Sequence, residues 1–225
     1  MITAAAREAL GPLGVAQQGR SRVWIDDHGW WLGVVEFTPL RLAGSSMHVG
    51  AMWLWHDVDH FAFHVDGDRA GQESFRDEVQ FAPRAADLAR RAALDVTGFR
   101  ERFPSLPAVA SFLTSRPLRR GFLWDGLDAG IAAALVGEPV AARASLDRVL
   151  AEEALAPWMV GAQDTARFLH DLADDSNAVG IWAAEAVRSC RANLKLAPAA
   201  LPFGDESDSH EAGPSVAWVS DHEHG

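Results

Sequence analysis

The sequence has one cysteine, one lysine and no tyrosine, and it contains no long apolar run. Because a lone cysteine, Cys190, cannot form an internal disulfide, the fold does not need an oxidising compartment. The apolar runs are too short to cross a bilayer, and residues 1–16 lack the basic and apolar segments of a secretory signal. These absences predict a cytoplasmic protein without a transmembrane segment.

Negative charge exceeds positive charge, and the formal net charge is −11. An acidic chain has no electrostatic footprint for duplex nucleic acid, so we expect neither a nucleic-acid nor a membrane partner. All 20 basic residues lie at or before Lys195, whereas residues 196–225 contain acids and no base. These acids are Asp205, Glu206, Asp208, Glu211, Asp221 and Glu223. The composition predicts one domain over residues 1–195 and an acidic disordered tail over residues 196–225, in which the apolar run 216–219 fits fraying better than docking.

Nearly all basic residues are arginine, and alanine is abundant. This pattern is typical of coding bias in a GC-rich genome. It lowers the weight that any single arginine carries in a functional argument.

Residues 22–66 predict four short β-strands. Alternating apolar positions place them at residues 22–26, 30–37, 46–55 and 60–65. Short turns at residues 27–29 and 56–59 make neighbouring strands antiparallel, which produces a meander that must bury one face against helices. A glycine-rich break at residues 67–71 follows the fourth strand.

Helical periodicity dominates the rest of the chain. A short helix at residues 3–10, with Thr3 as its N-cap, precedes the sheet. About five helices follow it, of which residues 83–103 form the longest and residues 177–194, capped by Ser176, form the last. The sequence therefore predicts an α+β fold, with helix and sheet in residues 1–70 and a helical part in residues 71–195.

Tryptophans occur at both strand parities, so they cannot all enter one core. The candidate ligand- or partner-binding residues are Trp24, Trp30, Trp31, His48, Trp53 and Trp55. Exposed indoles on the sheet would suit a planar ligand, a sugar, another protein or a second copy of the chain. The alternative is that helices cover one face of the sheet while the tail or a partner protomer covers the other.

Histidines and aspartates at and after the predicted turn at residues 56–59 suggest a divalent-metal site. The candidate ligands are His56, Asp57, Asp59, His60 and His64. His60 and His64 share a strand face because their offset is even, and His48 joins them if the third and fourth strands pair in register. No known ligand spacing is matched. The alternative is a polar hairpin tip beside histidines on a half-exposed sheet face.

Other catalytic chemistry has little support in the sequence. Cys190 lies on an apolar helical stripe, where packing accounts for it. Asp125 and Asp128 lie near a helix start, where a capping or dipole role suffices. No nucleophile elbow, phosphate-binding loop or dinucleotide fingerprint is present.

The first third of the chain resembles a known family. Its pattern joins Leu13-Gly14, Arg22-Val23-Trp24, Val35-Glu36-Phe37 and the segment 48–55. It resembles uncharacterised bacterial proteins of the DUF4304-like family, in which a helix precedes a small antiparallel sheet. The resemblance implies the same α+β arrangement and supplies no catalytic residues.

Two functions remain open from the sequence. The first is a non-enzymatic binding or interaction protein that uses the aromatic sheet. The alternative is a metal-dependent hydrolase-type enzyme that uses His48, His60 and His64 with Asp57 or Asp59.

Overall fold

Five antiparallel strands form one sheet, in which the spatial order follows the order along the chain. The computed structural model describes residues 1–41, 43–117, 119 and 121–204, without the side chains of residues 70–72. The strands are β1 (Ala16–Gln17), β2 (Val23–Asp27), β3 (Trp31–Pro39), β4 (Gly44–Trp53) and β5 (Val65–Ser74). The sheet confirms the predicted antiparallel meander, with five strands where four were predicted.

One helix precedes the sheet and six follow it in the described part of the chain. They are α1 (Ile2–Leu10), α2 (Glu78–Arg102), α3 (Leu106–Ser115), α4 (Leu123–Leu135), α5 (Pro139–Ala151), α6 (Pro157–Asp171) and α7 (Ser176–Asn193). Single turns of 3₁₀ helix occupy Gly11–Leu13 and Leu54–His56. None of the described helices combines the length and hydropathy that a bilayer span requires. These helices confirm the α+β class.

Two predicted helix caps are wrong. Met1 is the N-cap of α1 and no side chain caps the helix, so Thr3 lies inside it. At α7 the carboxylate of Asp175 accepts a hydrogen bond of 2.9 Å from the Ala178 N–H, and Ser176 is the first helical residue. The aspartate is the better N-cap because its charge also favours the positive end of the helix dipole.

The last strand lies further along the chain than predicted. β5 begins at Val65 and covers the glycine-rich residues 67–71, whereas residues 60–64 form a loop. Glycines are tolerated there because β5 is an edge strand and its pairing with β4 contains register shifts. β1 was also missed, since its two residues carry no alternating pattern and depend on pairing with β2.

Both faces of the central strands are covered. One face meets the end of α2, where the ring centroid of Phe103 lies 5.7 Å from that of Trp31 and 5.3 Å from that of Trp53. His48 and Met52 lie on the opposite face, as their parity predicts. The loop at residues 57–64 covers this second face, because the Ala62 N–H donates to the Met52 sulfur at 3.3 Å and Phe63 stacks on His48 at 3.7 Å.

The five tryptophans of the sheet region are core residues. Trp24, Trp30, Trp31, Trp53 and Trp55 are each at most 6% exposed. Three of them, Trp30, Trp53 and Trp55, stack with centroid separations of 5.5–5.9 Å. The expectation of indoles exposed on the sheet is therefore wrong, because the chain covers both sheet faces itself.

A matched pair of substitutions separates the roles of two buried indoles. The Trp55 N–H donates to the carboxylate of Asp128 at 2.9 Å, whereas Trp53 Nε1 is a buried nitrogen without a hydrogen-bond partner among the described residues. We expect Trp55→Phe to lower the free energy of unfolding by about 1–3 kcal/mol more than Trp53→Phe, because a hydrogen bond to a buried charge is lost only in the first. Urea unfolding followed by far-UV circular dichroism measures both values. Equal losses, or a larger loss for Trp53→Phe, would contradict this assignment.

Arg191 fixes the segment after α7 to the sheet. Its guanidinium is buried, and it donates to both oxygens of Asp27 at 2.8 Å and to the Gly29 carbonyl at 2.7 Å. Its Nε also donates to the Ala197 carbonyl at 2.8 Å. Residues 196–204 thus belong to the body, and Phe203 contacts the Trp30 ring. The first part of the predicted tail is therefore packed, while residues 205–225, including the run 216–219, lie outside the described residues.

Candidate functional site

The structure brings two of the predicted metal ligands together with an aspartate from another element. His56 Nε2 lies 2.6 Å from Asp128 Oδ1, which also accepts the Trp55 N–H. One atom able to bind a metal ion from each of His56, His64 and Asp128 lies within 4.8 Å of the other two. This buried cluster joins the 3₁₀ turn, the loop at residues 57–64 and α4.

The other predicted ligands lie elsewhere. His60 Nδ1 is 3.2 Å from Asp59 Oδ1, and both side chains are exposed. Asp57 has a positive φ of 46° and accepts a hydrogen bond from Asn193 at 3.1 Å. His48 Nε2 lies 2.9 Å from Asp66 Oδ1 on β5. The predicted set divides because residues 54–64 form a turn and a loop, where strand parity no longer applies.

Sequence reasoning missed Asp128. It was interpreted as a residue near a helix start, but α4 is buried almost throughout and Asp128 is 3% exposed. Burial by itself raises the pKa of the Asp128 carboxyl, but the charge and hydrogen bond of His56 hold that pKa below its ordinary value. The signal was available: a helix apolar on all sides is buried, so an acid within it needs a polar partner.

His64 is held in one tautomer. Its backbone N–H donates to the Ala51 carbonyl at 2.9 Å, and its ring Nδ1 accepts the Trp53 backbone N–H at 3.0 Å. The proton of the neutral ring is therefore on Nε2. The pKa of His64 is lowered to about 3, mainly by burial and then by the neighbouring charge of His56, while the carboxylate of Asp128 acts in the opposite direction.

This hydrogen-bonding pattern limits the chemistry of the cluster. With Nδ1 occupied and Nε2 protonated, His64 has no free lone pair near neutral pH, either for a proton or for a cation. A divalent ion would have to displace the Trp53 N–H from Nδ1 before His64 could bind it. The pattern is that of a neutral imidazole that stabilises the loop and offers one N–H donor.

His64 also lines a cavity of about 400 Å³. Four arginines line the same cavity: Arg69, Arg102, Arg116 and Arg119. The rings of Phe63, Phe112 and Phe122 form much of its remaining wall. We call it the arginine cavity.

The elements around the arginine cavity come from separate parts of the chain. Arg102 is the last residue of α2, and Phe112 belongs to α3. Arg116 caps the C-terminal end of α3, and Arg119 lies in the connection to α4. The opposite side consists of residues 63–69, from the loop and β5.

Two of the four guanidiniums are neutralised. Arg119 donates to both oxygens of Asp125, at 2.7 and 2.9 Å. Arg69 donates to Asp66 at 3.1 Å, and this bond together with His48 holds the pKa of Asp66 below its ordinary value, although burial tends to raise it. The local positive charge therefore does not come from these two residues.

The other two guanidiniums have aromatic partners instead. The Cζ atoms of Arg102 and Arg116 lie 5.7 and 5.3 Å from the ring centroid of Phe112. Within the described ranges, neither side chain has a carboxylate partner or another hydrogen-bond partner. Because a ring face accepts none of the N–H donors strongly, both guanidiniums keep their donors for a ligand.

A second cavity, of about 180 Å³, lies beside Trp30, Trp31 and Arg100. Arg100 already donates to the carboxylate of Asp26 at 2.5 and 2.8 Å and to the Leu13 carbonyl at 2.6 Å. Its donors are therefore used within the protein. The arginine cavity is larger and has free donors, so it is the stronger candidate site.

The sequence contained a signal for this site. Residues 116–120 read R-P-L-R-R, a basic run in an acidic chain. Because coding bias accounted for the arginines, the run received no weight.

No protein-family model matches the chain, and no curated protein or solved structure matches it. The resemblance of the first third to the DUF4304-like family stays a prediction.

Proposed function

We propose that this chain is a non-enzymatic binding protein and that its ligand is a small anion held in the arginine cavity. The observation that supports this most directly is the pair Arg102 and Arg116, whose charges lack carboxylate partners although the chain has a net charge of −11. The cavity volume of about 400 Å³ is within the range of roughly 300–1,000 Å³ typical of small-molecule sites.

The placement of the two arginines favours an anion over a neutral ligand. Guanidinium groups donate two parallel hydrogen bonds to a carboxylate or phosphate, and such charge-assisted bonds are about twice as strong as neutral ones. The rings beside Arg102 and Arg116 exclude part of the surrounding water, which reduces the screening of their charges. A bound anion would therefore gain more in this cavity than at an arginine on an open surface.

This proposal replaces the aromatic sheet as the binding surface. The five tryptophans of the sheet region are each at most 6% exposed, so they do not form an open sheet surface for a ligand or a second protein. The alternative of a metal-dependent hydrolase has less support, because His64 uses Nδ1 to accept the Trp53 N–H. Binding without catalysis fits a cavity in which the histidine and the carboxylate of the wall, His64 and Asp66, already have hydrogen-bond partners.

Anion titration tests the proposal. Calorimetry of the full chain at low ionic strength, with inorganic phosphate, pyrophosphate and citrate in turn, should show binding of at least one of them. The double variant Arg102→Gln/Arg116→Gln should weaken that binding about 100-fold or more, since each charged hydrogen-bond donor contributes about 1.5–3 kcal/mol. Absence of binding to the wild-type chain would reject the proposal.

A second double variant serves as a control because it changes the net charge by the same amount at residues outside the cavity. Arg148 and Arg188 are exposed residues of α5 and α7 and do not line the arginine cavity. Arg148→Gln/Arg188→Gln should leave the affinity within about twofold, since exposed charges are screened by solvent and salt. Equal weakening by both double variants would show that net charge, and not this cavity, attracts the anion.

A further inference from the structure

We infer that the ligand of the arginine cavity joins a planar ring to a phosphate-type dianion, as an aryl phosphate does. The inference rests on the proposed anion-binding function and specifies the class of ligand. It follows from three features of the cavity wall: the two unpaired guanidiniums, the exposed ring surface and the neutral imidazole donor.

The two unpaired guanidiniums favour a doubly charged group. Arg102 and Arg116 both line the cavity and both lie beside the Phe112 ring, so a ligand in the cavity can meet both. A carboxylate carries one charge, whereas a phosphate monoester carries about −1.5 to −2 at neutral pH and has three acceptor oxygens. The phosphate group can therefore accept from both arginines and neutralise both.

The aromatic wall supplies a place for a ring. Phe122 is 38% exposed, with Arg119 Cζ 3.9 Å from its centroid, and Phe63 stacks on His48. Phenyl and guanidinium groups thus both line the cavity, and a planar ring can stack against either kind of group. A bare phosphate would leave this apolar surface in contact with water, so a ligand that covers it gains affinity.

His64 adds a neutral donor to this wall. Because its Nδ1 accepts the Trp53 N–H, its protonated nitrogen is Nε2. His64 lines the cavity, so we assign this N–H as a donor to a phosphoryl oxygen or to a ring acceptor of the ligand. This donor needs no proton exchange with the ligand. The site therefore contains charged donors, ring faces and one uncharged donor, a combination that recognises a ring and a dianion together.

A long polyanion fits less well than a single small ligand. Single-stranded nucleic acid also presents bases and phosphates, but its binding depends on a basic groove that follows the strand. Of the described arginines at this cavity only two lack carboxylate partners, and the chain as a whole carries −11. The geometry favours one dianion over a row of phosphates.

Matched probes test the inference on the full-length protein. Calorimetric titrations would use inorganic phosphate, phenyl phosphate, benzoate and benzyl alcohol in the same buffer. We expect phenyl phosphate to bind about five- to tenfold more tightly than inorganic phosphate, which is the gain expected for one aromatic stacking contact. Benzoate and benzyl alcohol should bind at least tenfold more weakly than phenyl phosphate.

Two variants assign the contacts. Phe122→Leu should remove most of the preference for phenyl phosphate while the affinity for inorganic phosphate stays within twofold. Arg102→Gln/Arg116→Gln should weaken both phosphates about 100-fold. Because Phe122 and Arg102 are exposed and Arg116 is half-buried, the fold should survive these changes, and far-UV circular dichroism checks this.

The outcomes separate the inference from the function on which it rests. Equal affinity for inorganic and phenyl phosphate would overturn the inference and leave an anion-binding protein. If benzoate binds with the same affinity as phenyl phosphate, the requirement for a doubly charged group is wrong. If a single-stranded oligonucleotide binds more tightly than phenyl phosphate, the assignment of a small ligand is wrong. Absence of binding of every anion would reject the proposed function itself.

Discussion

Replacing Asp128 by alanine should lower the free energy of unfolding by about 3–5 kcal/mol, because two hydrogen bonds to a buried carboxylate are lost and each contributes about 1.5–3 kcal/mol. The substitution leaves two groups without their acceptor, the Trp55 N–H at 2.9 Å and His56 Nε2 at 2.6 Å. Both are enclosed, so water cannot replace the carboxylate without entering the core. Urea unfolding followed by circular dichroism measures the loss.

Two companion variants identify its origin. Asp128→Asn keeps one oxygen acceptor and should lose less stability than Asp128→Ala. Asp147→Ala removes an aspartate whose side chain is 66% exposed and which lies 3.3 Å from His170, so it should have no measurable effect. If Asp128→Ala were no more damaging than Asp147→Ala, the cluster at His56 would contribute nothing to the fold.

The stability of the protein should also fall as the pH is lowered from about 6.5 toward 4. Burial lowers the pKa of His64 to about 3 in the folded protein, whereas an unfolded histidine has an ordinary pKa of about 6.5. Between these values the unfolded chain binds a proton that the folded chain does not, so acid favours unfolding. The slope should be roughly 1.4 kcal/mol per pH unit for this one proton.

The variant His64→Asn isolates this contribution. The asparagine Oδ1 can occupy the position of Nδ1 and accept the Trp53 N–H, but it does not titrate. In this variant we expect the free energy of unfolding to decline less steeply between pH 6.5 and 4, by the slope that corresponds to about one proton. His60→Asn alters an exposed ring and should keep the wild-type slope.

The carboxylates cannot produce the same effect in this window. The folded pKa of Asp128 lies below its ordinary value, so its contribution is present above about pH 4 and is lost only as the pH falls further. A wild-type slope near zero between pH 6.5 and 4 would show that His64 titrates normally. That result would remove the argument for a fixed Nε2–H donor at the arginine cavity.

Local pattern was sufficient for most of the secondary structure. Alternation located β2, β3 and β4 closely, and apolar stripes located α7 and most of α2. These signals work because the period of a strand or helix is a property of consecutive residues. They failed at β5, where a bulged edge strand has no regular alternation.

Only part of the candidate site could be predicted from the sequence. His56 and His64 were named because they are neighbours along the chain, whereas Asp128 reaches them from α4. The arginine cavity combines residues 63–69 with residues 102–122, and no spacing rule connects segments that far apart. The sequence shows how many arginines the chain contains, but it does not show that several of them meet at one cavity.

The sequence alone determined the α+β class, the antiparallel meander and the lack of a disulfide, because these depend on local periodicity and on residue counts. Only the tertiary structure decided which aromatic residues are buried and which cations lack a partner. The tryptophans pack against Phe103 at the end of α2 and against Phe203 in residues 196–204, which come from two separate parts of the chain. Burial and pairing depend on contacts between such distant segments, and those contacts exist only once the chain has folded.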